Sequence, residues 1–300
     1  MSLEVGIVGL PGTGKSTLFT ALTGAPADQY GTAHVGIAPI PDDRLPEVAR
    51  IVGSPKATQA AIRVVDLPGT ASAQLGAARA ADALVGVVSD EAQLESLQLE
   101  LLIADRDHVE RRLEKVQKDA KSGDPKLRAE VEELEQVLAQ LDAERPLRDY
   151  GGVLPPELEP LTTKPLVPVV NGPGGIDLKL EAELAELPRD EAAAFRDGEP
   201  SALDELVRRL QESLDLLTFF TANENEARAW TLRRGQTALE AAGTIHTDMA
   251  RGFIRCEVVH WRDLIEAGSR AEASRRGLQR LEGKEYVVED GDLLNVRFNV

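Results

Sequence analysis

Residues 9–17, Gly-Leu-Pro-Gly-Thr-Gly-Lys-Ser-Thr, match the pattern G-x-x-x-x-G-K-[ST] in full, and no other stretch constrains the fold as tightly. The run follows the apolar segment Val5-Gly6-Ile7-Val8 and precedes Leu18-Phe19-Thr20-Ala21-Leu22. That is the strand–loop–helix setting in which such a loop works. Gly9, Gly12 and Gly14 let the backbone curl so that successive N–H groups converge on an anion, with Pro11, Thr13 and Thr17 completing the loop. Lys15 supplies the charge that reaches β- and γ-phosphates, and the Ser16 hydroxyl suits Mg²⁺. The implied ligand is a nucleoside di- or triphosphate.

Three hundred residues predict two domains, each long enough for its own core. No apolar run approaches the length of a membrane span and the first strand begins at Leu3, so neither a membrane segment nor a signal peptide is expected. The single cysteine, Cys256, excludes an internal disulfide and a cysteine-based metal site, and it fits a cytoplasmic protein. Its alternating surroundings, Phe253–Val258, assign it to the buried face of a strand. The net charge of −17 is uneven: residues 218–300 hold 12 Lys/Arg against 13 Asp/Glu, and residues 1–217 hold 22 against 38. A uniformly basic nucleic-acid surface is thereby excluded. Local clusters such as Arg275, Arg276 and Arg280, or Arg233 and Arg234, remain candidates for RNA contact.

Strand patterns recur at Glu4–Val8, Val35–Ile40, Ile62–Val65, Leu84–Val88 and Leu166–Val170, and their alternation with helices predicts a mostly parallel α/β sheet. From Leu94 to Ala143 the apolar residues change to three- and four-residue spacing, interrupted by Lys121-Ser122-Gly123-Asp124-Pro125. Gly123 ends one helix, Asp124 caps the next and Pro125 suits its first position, which predicts an antiparallel helical hairpin. Helices are expected at 179–187 and 201–217. Short strands are expected at 228–232, 251–259, 285–288 and 293–300, with a helix near 237–242, giving a small α+β domain.

A phosphate-binding loop needs a second acid for the metal shell. Asp66 ends the apolar run Ile62–Val65, and Asp66-Leu67-Pro68-Gly69 fits the D-x-x-G of P-loop GTPases. There the Asp orients Mg²⁺ and the Gly N–H senses the γ-phosphate. Thr32, between the two motifs, is the candidate switch threonine that closes on Mg²⁺. Asn171 ends the strand Leu166–Val170 and is the candidate contact to a purine edge.

These segments, with Val35–Asp42, Glu100–Asp105, Glu181–Leu187, Phe220-Thr221-Ala222, Arg228–Thr231, Ile245–Asp248, Arg251–Arg255 and Arg297–Val300, resemble the YchF/OLA1 family of Obg-related P-loop NTPases over nearly the whole chain. The resemblance implies a G-domain at 1–90 and 147–217, a helical hairpin inserted at 91–146, and a ubiquitin-like (β-grasp) TGS domain at 218–300. It also implies hydrolysis of ATP or GTP with Mg²⁺, often favouring ATP, and association with ribosomes or RNA.

The departures from that pattern are specific. The switch stretch around Thr32 is short, the segment after Gly69 is cut down, and the histidine-bearing loop expected after Val88 is missing. Where the family has Asn-x-x-Glu and GTPases have Asn-Lys-x-Asp, this chain has Asn171-Gly172-Pro173-Gly174. A carboxylate at the fourth place would accept hydrogen bonds from guanine; Gly174 cannot, so guanine selectivity is not expected. No residue right after Gly69 can orient a water, so hydrolysis is expected to be slow. The resulting reading is a monomeric, slow ATPase or GTPase acting as a ribosome-linked switch. The alternatives are a nucleotide-stabilised binding module without turnover and, less compatible with Asp66-Leu67-Pro68-Gly69, a small-molecule kinase.

Overall fold

The computed structural model describes residues 3–27, 33–67, 71–197 and 199–299. Along the chain, β1 (Glu4–Val8) leads through the glycine-rich loop into α1 (Lys15–Thr23). β2 (His34–Ile40), α2 (Arg44–Val52), β3 (Lys56–Thr58), β4 (Ala60–Asp66), α3 (Ala71–Ala78) and β5 (Ala83–Val88) follow. Then come the long helices α4 (Glu91–Asp119) and α5 (Pro125–Asp142), β6 (Leu166–Val170), α6 (Leu178–Ala185), α7 (Arg189–Phe195) and α8 (Ala202–Ser213). The remainder comprises β7 (Leu216–Ala222), β8 (Glu226–Arg233), α9 (Ala238–Ile245), α10 (Thr247–Arg251) and β9 (Phe253–His260). It ends with α11 (Trp261–Ala267), α12 (Arg270–Arg275), β10 (Arg280–Glu282) and β11 (Asp292–Phe298).

Two compact units result, Leu3–Gly36 with Arg63–Leu206, and Ile37–Ile62 with Val207–Val300. The first sheet has the order β2-β4-β1-β5-β6, and β1 pairs in parallel with β4 and β5, as β5 does with β6. Every residue of β5 is buried, as its unbroken apolar run requires of a strand covered on both faces. Parallel pairing brings the carboxyl ends of β1, β4 and β6 to one edge, where ligands of such sheets bind. The glycine-rich loop, Asp66 and Asn171 all lie there.

The helical hairpin forms as its sequence dictates. Gly123 takes φ 88°, the Asp124 carboxylate accepts from Lys126 N, and Pro125 opens α5. Val109, Leu113, Val116, Leu134, Val137 and Leu141 are buried between the helices, each worth about 1.5–3 kcal/mol relative to exposure.

In the second unit the sheet order is β10-β9-β11-β7-β8-β3. β11 pairs in parallel with β7 and antiparallel with β9, and β7 forms an antiparallel pair with β8, a β-grasp arrangement. Cys256 is fully buried there, and burial pushes its thiol up to about 12.

Four expectations change. The predicted helix over 201–217 stops at Ser213: Asp215 adopts φ 51°, and the buried run Leu216–Ala222 continues as β7. Residues 285–288 form no strand, only an isolated bridge between Val287 and Thr237, and the strand expected from Arg251 begins at Phe253 because α10 occupies 247–251. Finally, β3 pairs in parallel with β8, so residues 37–62 join the C-terminal unit, whereas the sequence places them with the nucleotide-binding part.

Candidate functional site

The glycine-rich loop depends on two close approaches. Gly9 has φ 145°, and a Cβ there would run into the Val87 carbonyl oxygen. Gly14 has φ 103°, and a Cβ there would meet Asn171 Nδ2 at 2.6 Å. Only glycine fits either position. Thr13 is buried and its hydroxyl donates to Leu10 O at 3.0 Å. Lys15 Nζ donates to the carbonyl oxygens of Gly9 and Leu10 at 2.9 Å each, holding the ammonium over the loop. Burial lowers the Lys15 pKa below its ordinary value, and the nearby Asp66 carboxylate opposes that shift. The first amides of α1 have no partner within the helix, and its dipole favours an anion at this end.

Asp66 is buried and its Oδ2 accepts from Ser16 Oγ at 2.7 Å. The motif hydroxyl and the motif carboxylate, fifty residues apart, thus meet beside Lys15. Among the described residues no group of three or more His, Cys, Asp or Glu side chains could hold a metal ion. A Ser hydroxyl with one carboxylate is instead the hard-oxygen donor set that suits Mg²⁺, which keeps several waters and takes its other ligands from phosphate.

Asn171 reaches back to the loop. Its Nδ2 donates to Thr13 O at 2.8 Å, and its Oδ1 accepts from Leu178 N at 3.4 Å. The side chain therefore ties the end of β6 to both the loop and α6. Asp177, three residues beyond Gly174, caps α6 by accepting from Lys179 N and Leu180 N. Pro11 and Gly12 are exposed at the loop tip and Thr17 lies in the first turn of α1. Thr32 and Gly69 fall outside the described residues.

His34 is the residue that motif reasoning passes over. It opens β2, and its Nδ1 lies 3.8 Å from Asp66 Oδ2. The only signal in the sequence was its closeness to Thr32. The C-terminal arginines are partly spoken for: Arg275 and Arg276 both donate to Glu272, and Arg234 to Asp215.

Comparison with known proteins places the chain in a family. The family model MMR_HSR1, "50S ribosome-binding GTPase", matches residues 4–130, and the model YchF-GTPase_C, "Protein of unknown function (DUF933)", matches residues 216–299. The chain is 36% identical to the ribosome-binding ATPase YchF of Bacillus subtilis, with 100% of each chain covered. It is 30% identical to Obg-like ATPase 1 of Pongo abelii, covering 99% of this chain and 93% of that protein. The alignment with the Bacillus protein runs over 366 positions against 300 residues here, so this chain carries substantial deletions. The solved structure of the Schizosaccharomyces pombe YchF GTPase is similar with a TM-score of 0.81 at 26% identity, covering 99% of this chain and 98% of that one. With a phosphate-binding loop, its partner acid and a β-grasp unit all in place, the chain belongs to the YchF/Obg-like ATPase family of P-loop NTPases.

Proposed function

We propose that this protein binds a purine nucleotide with Mg²⁺, hydrolyses it slowly, and uses its nucleotide state to engage a ribosome-linked partner in the cytoplasm as a monomer. The carrying observation is the meeting of Lys15, Ser16 and Asp66 at one edge of the parallel sheet, with Ser16 Oγ 2.7 Å from Asp66 Oδ2. In this reading Gly9, Pro11, Gly12, Thr13, Gly14, Lys15, Ser16 and Thr17 wrap the phosphates, and Gly69 contacts the γ-phosphate. Ser16, Asp66 and Thr32 hold Mg²⁺. The cation, when bound, neutralises charge on the β- and γ-oxygens.

Lys15 swings from the loop carbonyls to the β/γ-phosphates and stabilises charge that grows in the transition state. Intrinsic rates of such enzymes without a positioned catalytic group can be as low as roughly 10⁻⁴–10⁻³ s⁻¹, and slow turnover is expected here. Gly174 offers no carboxylate to guanine, so ATP binds at least as well as GTP. The ribosome association printed in the names of the bacterial relatives, together with the β-grasp unit, supports a translation-linked partner.

The deletions favour a second reading, a nucleotide-stabilised binding module without turnover. Single-turnover hydrolysis of radiolabelled ATP, with and without ribosomes, separates the two. Phosphate release that ribosomes accelerate supports the switch. Tight ATP binding with no release under either condition supports the module.

A further inference from the structure

We propose that His34 is a positioning residue of the nucleotide site, holding the Asp66 carboxylate and, through it, the divalent cation assigned to Ser16 and Asp66. The inference rests on the Mg²⁺ reading above and extends it to a residue outside the sequence motifs named above.

Three observations converge on the ring. His34 Nδ1 stands 3.8 Å from Asp66 Oδ2, the same oxygen that accepts from Ser16 Oγ at 2.7 Å. That separation exceeds a direct hydrogen bond, and a small rotation of the ring closes it. Second, both ring nitrogens are buried, and neither has a hydrogen-bond partner among the described residues. A buried polar atom of this kind is costly unless it gains a partner when the site is filled. Third, the ring packs at 5.9 Å and 45° against Phe19. Phe19 lies three residues after Ser16 on α1, so the helix that presents the hydroxyl also fixes the imidazole.

Carboxylates that ligate metals need a second group to fix which oxygen faces the ion, and removing such outer groups weakens metal binding. Elsewhere in the site Asp66 accepts from Ser16 Oγ, a hydroxyl that is itself assigned to the cation. Lys15 lies close enough for the two charges to influence each other, but its Nζ donates to Gly9 O and Leu10 O. His34 is the polar side chain that β2 places beside the carboxylate at the end of the neighbouring strand β4.

The test is the Mg²⁺ dependence of ATP binding, measured by calorimetry on the full chain as wild type, His34→Phe and His34→Asn. Phenylalanine keeps the packing on Phe19 and removes both nitrogens, whereas asparagine returns an amide nitrogen near the place of Nδ1. His34→Phe should raise the Mg²⁺ concentration for half-maximal ATP binding by about tenfold or more, the scale of outer-shell losses. Binding of ATP without Mg²⁺ should stay as in wild type, and His34→Asn should recover most of the Mg²⁺ affinity. Unchanged Mg²⁺ dependence in His34→Phe, or an asparagine variant as defective as the phenylalanine one, overturns the proposal. If His34→Phe does not fold, His34→Leu takes its place under the same two criteria. Wild-type protein that binds no ATP at any Mg²⁺ concentration overturns the nucleotide reading itself, an outcome distinct from failure of the His34 role.

Discussion

Arg44 Nη1 donates to Asp290 Oδ2 at 2.6 Å, joining residues 246 positions apart. The same guanidinium donates to Asp42 Oδ2 at 2.7 Å and stands 5.4 Å from the Phe220 ring and 5.9 Å from the Trp261 ring. The stretch that follows the candidate switch threonine is thus clamped onto the C-terminal sheet, with β3 added to its edge. Burial disfavours the charge on Arg44, but its hydrogen bonds to Asp42 and Asp290 outweigh it and hold the guanidinium well above its ordinary range.

Arg44→Ala should therefore destabilise the C-terminal unit by about 1–3 kcal/mol, less than a fully buried pair because Asp290 is part-exposed. Arg44→Lys should recover little, since an ammonium cannot reproduce the two-sided fork stacked on aromatic rings. Burial raises the Asp290 pKa, yet the hydrogen bonds from Arg44 and Thr218 N bring it below the ordinary value. A depressed folded pKa means stability is present above the unfolded value, about 4, and is lost as pH falls through the folded value. Urea midpoints measured from pH 7 to pH 3 should show that acid limb in wild type and a shallower one in Arg44→Ala.

The buried Asp105 should be the costliest single carboxylate to remove from the first unit. It accepts from Arg79 Nη1 at 2.7 Å, Leu161 N at 2.9 Å, and Thr162 N and Oγ1 at 2.8 Å each. Asp105→Ala strands two backbone amides and leaves the part-buried Arg79 with carbonyl partners only, Ala104 O and Glu159 O, a loss of about 3–5 kcal/mol. Thermal melts of Asp105→Ala should fall well below those of the exposed control Asp107→Ala, and equal melts would contradict the role.

Lys15→Ala should abolish tight ATP binding while leaving the fold intact. The side chain's hydrogen bonds are to loop carbonyls at the surface of the site, so the melting temperature should move by no more than about 4 °C, a loss near 1 kcal/mol for a unit of this size. A circular dichroism melt with an ATP titration reads both quantities on one sample.

Asn171→Ala should weaken ATP and GTP binding by similar factors, because its side chain is engaged with Thr13 O and Leu178 N. A residue that reads the base would instead change the ratio of the two affinities. Filter binding of both nucleotides distinguishes the cases.

What could be read from the sequence followed the physics of local pattern. Gly9–Thr17 and Asp66 were legible because phosphate and metal chemistry demand fixed residue types at fixed spacing. The hairpin was legible because Gly123, Asp124 and Pro125 each have a helix-end role. β7 was not, since Leu216–Ala222 continues the apolar spacing of α8 and only the left-handed turn at Asp215 separates them. Nor was β3, three residues whose strand character comes wholly from pairing with β8. His34 and the Arg44 clamp escaped for a related reason: each depends on a partner distant in sequence, which no local spacing records.

The central claim, that Lys15, Ser16 and Asp66 form an Mg²⁺-dependent purine triphosphate site without guanine selectivity, is tested most directly by calorimetric titration of the wild-type chain with ATP and with GTP, each with and without Mg²⁺. Mg²⁺-strengthened binding is predicted, with ATP at least as tight as GTP. A tenfold or greater preference for GTP, about 1.4 kcal/mol, or binding indifferent to Mg²⁺, would contradict it.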